Sequence, residues 1–227
     1  MTIVDKIHVY LMPGMAASPK IFERIQLPEP FELHLLDWIL PHKEETLSEY
    51  AARIARDIRH QRPVLVGVSF GAIIMQEIAQ HIDYHSIFVI SSVKNRHELP
   101  ANMLLARYTK LHKLLPITLI DTMEYWKEFS FFENLTRRIE FYERYIGMRS
   151  PYYLEWSIDK IVNWQQGAAL PRTVHIHGDH DMVFPIKNIK EAIVIRNGTH
   201  IMILNRYKWF NEHLPKLILG ISPTDED

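Results

Sequence analysis

The chain has 227 residues, 47% hydrophobic and 23% charged, with a formal net charge of −1 and no cysteine. That length suits one domain with a sizeable core plus an insertion, and the scattered basic residues argue against nucleic acid as a partner. Disulfides, thiolate metal sites and cysteine nucleophiles are excluded. Residues 1–6 lack a basic segment leading into a long apolar stretch, so neither a signal peptide nor membrane insertion is expected, and the expected location is cytoplasmic.

Apolar runs of strand length recur at 7–12, 31–38, 63–68, 86–93, 173–177 and 192–196. Their near-continuous hydrophobicity predicts strands covered on both faces, as in a parallel sheet. The first run leads into the loop Met12-Pro13-Gly14-Met15-Ala16-Ala17-Ser18. Between the second and third, Leu47, Tyr50, Ala51, Ile54, Ala55 and Ile58 form a helical stripe. Thr46 and Glu49 make a capping box at its start. The third run ends in Gly67-Val68-Ser69-Phe70-Gly71, after which Gly71, Ile74, Met75, Ile78 and Ile82 share a helical face. Strand, tight turn and helix place the Ser69 hydroxyl at a sharp corner beyond the carboxyl end of a sheet.

From 94 to 170 the strand rhythm stops, and large apolar residues accumulate, among them Met123, Trp126, Phe132, Tyr153, Trp156 and Trp164. This interval predicts a helical cap over the sheet, walling an apolar pocket, although most of its aromatics are expected simply to pack it against the core. The strand pattern resumes with His175, His177, Gly178, Asp179, His180 and Asp181, then Pro185. A last strand precedes Asn197-Gly198-Thr199-His200. Alternation of strands and helices means an α/β fold: a mostly parallel sheet of about six strands with helices on both faces. The core is assigned to 1–93 and 171–227, and the cap to 94–170.

A serine hydroxyl needs a base to take its proton, and the imidazole needs an anion to hold its tautomer. His200 follows a strand, Asp181 follows the preceding one, and the order Ser69, Asp181, His200 suits a triad built on this sheet. Asp179 competes for the acid role. Ser91 and Ser92 end a strand and either line the pocket or form a turn. Arg137, Arg138 and Arg149 are candidates to grip an anionic substrate group, with solvated helix charges the commoner case. His97 and His112 carry no evident partner.

On Gly67-Val68-Ser69-Phe70-Gly71, on His177-Gly178 with Asp181 and Pro185, and on Gly198-Thr199-His200, the chain resembles α/β-hydrolase fold proteins. The resemblance spans the sheet on both sides of the insertion, with the family's first two strands missing. It implies an acyl hydrolase with no metal or organic cofactor: Ser69 as nucleophile, His200 as base, and Asp181, three residues after the turning glycine, as its acid. Asp179 is then left to cap the turn. The implied oxyanion hole is formed by the backbone N–H groups of Phe70 and Met15, with Pro13-Gly14 where many relatives have His-Gly. The implied substrate is an ester or thioester of a small to medium apolar acyl group, handled by a monomer or homodimer. The same fold also hosts non-catalytic ligand-binding proteins. A competing motif, His175-x-His177-x-Asp179-His180, resembles the zinc signature of metallo-β-lactamase-like hydrolases. It comes late in the chain, and two strand histidines satisfied by hydrogen bonds are the preferred explanation.

Overall fold

The computed structural model describes residues 5–109 and 144–221, with 106–109 as backbone. Six strands form one sheet: β1 (Ile7–Met12), β2 (Phe31–Leu35), β3 (Val64–Val68), β4 (Ser86–Ile90), β5 (Thr173–Gly178) and β6 (Ile193–Ile195). Their order is β2-β1-β3-β4-β5-β6, and every pairing is parallel. From β1 the chain steps one way to β2, then returns past β1 and builds outward from β3. Strand order therefore reverses between β1 and β3, and in such sheets the crevice at the carboxyl ends of those strands is where ligands bind.

Strand alternation divides the core in two. Tyr10 and Met12 of β1 face a layer formed by α1 (Leu47–Ala55), α2 (Phe70–Ile78) and α4 (Pro151–Val162); α3 (Ala101–Thr109) precedes α4 in the chain. Val9 and Leu11 face the other side, where α5 (Met202–Asn205) and α6 (Tyr207–Ile218) pack. Strands β3 and β4 are buried throughout, as expected of a central pair covered on both sides. The edges depart from that expectation: Leu35 of β2 is 53% exposed and Val194 of β6 52%, because an edge strand has a neighbour on one side only.

The capping box at the start of α1 is present. Glu49 N–H donates to Thr46 Oγ1 at 3.2 Å, and Thr46 N–H donates to Glu49 Oε2 at 2.9 Å. The helix stops at Ala55, before Ile58. Within the interval 94–170, residues 110–143 lie outside the described residues, and with them His112, Met123, Trp126, Phe132, Arg137 and Arg138. Among the described residues no helix is long and apolar enough to cross a membrane.

Candidate active site

Ser69 directly follows β3 with φ 53° and ψ −125°, a positive-φ conformation that a side-chain-bearing residue holds only where its surroundings enforce it. Two glycines create those surroundings. A Cβ on Gly67 would lie 2.3 Å from Ala72 Cα, and one on Gly71 would lie 2.2 Å from the Pro13 carbonyl oxygen. Strand, helix and the loop after β1 thus close on one another only where no side chain intervenes. Ser69 N–H donates to Ile90 O at 2.9 Å, and the Ser92 hydroxyl donates to Ser69 O at 2.8 Å. Ser92 therefore supports the turn from behind. Gly71→Ala is expected to cost about 3 kcal/mol through overpacking against backbone, read as a lower urea midpoint; an unchanged midpoint would mean that the contact relaxes freely.

The loops after β5 and β6 are joined as closely. A Cβ on Gly178 would meet Gly198 O at 2.1 Å, His180 N–H donates to that oxygen at 2.9 Å, and Asp179 N–H reaches Ile195 O at 3.4 Å. Asp179 pairs outward with His180 at 2.9 Å, so it braces the turn. Asp181 is the carboxylate that meets His200: His200 Nδ1 lies 2.9 Å from Asp181 Oδ2 and 3.2 Å from Oδ1. On the other side of the ring, His200 Nε2 lies 2.9 Å from Ser69 Oγ. With Nδ1–H donated to the carboxylate, the Nε2 lone pair faces the serine hydroxyl.

Asp181 is 3% exposed and accepts from the N–H groups of Val183 and Phe184, each at 2.9 Å. Burial acts to raise its pKa, but the neighbouring His200 and the Phe184 N–H outweigh it and hold the carboxyl below its ordinary value. The acid therefore stays ionised beside the imidazole.

The loop after β1 reaches the same place. A Cβ on Gly14 would lie 3.4 Å from Ser69 Cβ. Gly14 O accepts from Trp38 Nε1 at 2.9 Å and from Ala17 N–H at 3.0 Å, and Ala16 N–H reaches Tyr153 Oη at 3.4 Å. Among the described residues, neither Met15 N–H nor Phe70 N–H finds a hydrogen-bond acceptor. Phe70 opens α2, where the first N–H groups have no intrahelical partner and the helix dipole favours negative charge. Trp38 stacks on Phe70 with centroids 5.3 Å apart, and Trp156 meets Phe70 edge-on at 6.3 Å. Tyr153, Trp156 and Trp164 are all buried; the described aromatics of the insertion mainly serve packing.

A buried polar chain runs behind the acid, and the sequence reading missed it. His177 Nε2 donates to Phe184 O at 2.7 Å, which leaves Nδ1 to accept from His175 Nε2 at 3.2 Å. His175 Nε2 also donates to Ser92 O at 3.0 Å, and its Nδ1 accepts from Lys94 Nζ at 3.1 Å. Lys94 places its other protons on Glu98 Oε1, 3.0 Å away, and on Lys190 O. The three ammonium protons have three acceptors, and Phe184, whose N–H donates to Asp181, is itself held through its carbonyl by His177. With all four ring nitrogens engaged, the His175-x-His177 pair takes the hydrogen-bonded role preferred for it. Of the weaker candidates, His97 lies on an exposed turn and Arg149 just before α4. Ser91 is buried with no partner for its hydroxyl among the described residues.

Burial, with the Lys94 charge next, pushes His175 down to about 3, and burial lowers His177 as well. Both rings stay neutral in the folded protein down to pH values at which the unfolded chain, near 6.5, has already taken up protons. Stability therefore falls as pH drops below about 6.5, by up to roughly 1.4 kcal/mol per pH unit for each ring, until its folded pKa is reached. A denaturant midpoint that begins to drop near pH 6.5 is expected, and a flat midpoint between pH 7 and 5 would contradict it.

No family model matches the sequence, and no curated protein sequence matches it. Solved structures do match. A thermophilic esterase from Thermogutta terrifontis superposes with a TM-score of 0.66 at 14% identity, covering 94% of this chain and 90% of that one. A lipase-esterase related protein from Clostridium acetobutylicum gives 0.63 at 15% identity, covering 92% and 93%. The enol-lactonase from Burkholderia xenovorans LB400 gives 0.62 at 11% identity, covering 97% and 94%. Identities this low speak to architecture. Together with the parallel sheet and its order, they show that this chain has the α/β-hydrolase fold.

Proposed function

We propose that the protein is a serine hydrolase that cleaves an ester or thioester of a small to medium apolar acyl group. The observation that carries this reading is the hydrogen-bonded line from Ser69 Oγ through His200 to the buried Asp181, both steps at 2.9 Å. Ser69 Oγ attacks the substrate carbonyl carbon while His200 Nε2 takes its proton, and Asp181 stabilises the imidazolium. The negative charge on the former carbonyl oxygen is met by the N–H groups of Met15 and Phe70. Collapse breaks the bond to the leaving group, which leaves with the proton from His200. Water, deprotonated by the same imidazole, then releases the acyl group and regenerates Ser69. Resemblance to an esterase, a lipase-related protein and an enol-lactonase agrees with acyl chemistry, but the site, not the fold, supports it.

The test is turnover of p-nitrophenyl esters and acyl thioesters of increasing chain length by protein dialysed against a chelator. Hydrolysis with a defined chain-length optimum, unaffected by the chelator, is expected. Tight binding of such compounds without consumption would point instead to a ligand-binding protein, and activity restored only by zinc would point to the metal reading.

A further inference from the structure

Three histidines from separate stretches of chain meet on one face of the sheet, away from Ser69. His8 is in the amino-terminal half of β1, His34 lies on the adjoining edge strand β2, and His60 is in the loop between α1 and β3. One ring nitrogen of each lies within 4.8 Å of the other two. His8 Nδ1 and His34 Nε2 are 3.0 Å apart. The rings of His8 and His60 are stacked at 3.4 Å, so that one of them must turn before both aim a lone pair at one ion, and those of His34 and His60 lie 4.7 Å apart. All three are half-buried.

The facing nitrogens of His8 and His34 share one proton in an N–H···N bond, which a shared ion would replace. Imidazole ligates metal in its neutral form. The 3.0 Å spacing is close to the roughly 3.3 Å expected between two nitrogens each 2.0–2.1 Å from a tetrahedral zinc ion. An outer partner is also in place. The buried Tyr10 hydroxyl lies 2.7 Å from His60 Nδ1 and accepts from Arg59 N–H at 3.1 Å. When His60 donates Nδ1–H to that oxygen, Nε2 keeps its lone pair, the arrangement by which ligating histidines are usually oriented. Glu32 Oε1 stands 3.8 Å from His34 Nε2, while Lys6 is engaged by Glu32 Oε2 at 2.8 Å. A carboxylate is therefore at hand to offset the ion's charge.

We propose that His8, His34 and His60 bind one divalent transition-metal ion of the zinc type, with a structural role. The chemistry is that of an all-imidazole donor set, which suits zinc, copper or nickel over magnesium or calcium. The ion adds to the backbone ladder between β1 and the edge strand β2 a tie to the loop entering β3, which carries His60.

The test is calorimetric titration of zinc chloride into untagged, chelator-treated full-length protein, with thermal unfolding measured with and without zinc. One ion per chain at micromolar or tighter affinity is expected, together with a raised Tm. His34→Gln and His60→Gln should each weaken binding about tenfold or more and abolish the rise in Tm, whereas His97→Gln should change neither. Metal-free melts of the variants report whether they fold. Tyr10→Phe, which keeps the ring and all three ligands, should weaken zinc by about tenfold through loss of the outer partner. No stoichiometric zinc, or equal binding by wild type and the ligand variants, would overturn the site.

Discussion

Ser69→Ala is expected to lower kcat on a short-chain ester by roughly 10⁴–10⁶ while leaving the fold and Tm essentially intact. The size follows from the role: without the oxygen there is no acyl-enzyme, and what remains is binding plus whatever the Met15 and Phe70 N–H groups do for direct attack by water. The fold survives because the turn is held by groups the substitution spares. These are the close approaches at Gly67 and Gly71, the Ser69 N–H bonded to Ile90 O, and the Ser69 carbonyl bonded to the Ser92 hydroxyl. Some strain is added, since alanine at φ 53° has no side-chain polar group to offset it. Undiminished turnover in the purified variant would remove Ser69 from the chemistry.

Asp181→Asn is expected to lower kcat by about 10⁴. Asparagine keeps one oxygen for the Val183 and Phe184 N–H groups, so the turn persists. Its amide nitrogen, however, donates toward His200 Nδ1. That ring nitrogen must then accept, Nε2 acquires the proton, and the imidazole can no longer take one from Ser69. A stability effect accompanies the kinetic one. The folded pKa of Asp181 is depressed, so its contribution is fully present above the ordinary value of about 3.9 and is lost as pH falls through the lowered folded value. The variant should lack this acid-side loss. Asp179→Asn, at a carboxylate that braces the turn and faces His180, should keep most of the activity; a larger loss there than at Asp181 would reverse the assignment.

Much of this site is legible in the chain because its determinants are local. Gly67 and Gly71 flank Ser69 within one turn, Asp181 and His200 each follow a strand-like run, and all six strands coincide with apolar runs. What is not legible arises from packing between distant segments. His175 and His177 spell a zinc-like motif in sequence, and only the meeting of β5 with Lys94, Ser92 and Phe184 occupies their nitrogens. His8, His34 and His60 are far apart along the chain and look unremarkable until β1 and β2 pair in register. Trp156 and Tyr153 fit a pocket wall or core packing equally well by composition, and their burial against Phe70, Tyr50 and Trp38 decides for packing.

The most direct measurement of the central claim is intact-mass analysis after treatment with a fluorophosphonate, on wild type and on Ser69→Ala. An activated serine should give a single adduct on wild type and none on the variant. A wild-type protein that is folded and unlabelled, or a variant labelled as readily as wild type, would contradict a nucleophilic Ser69.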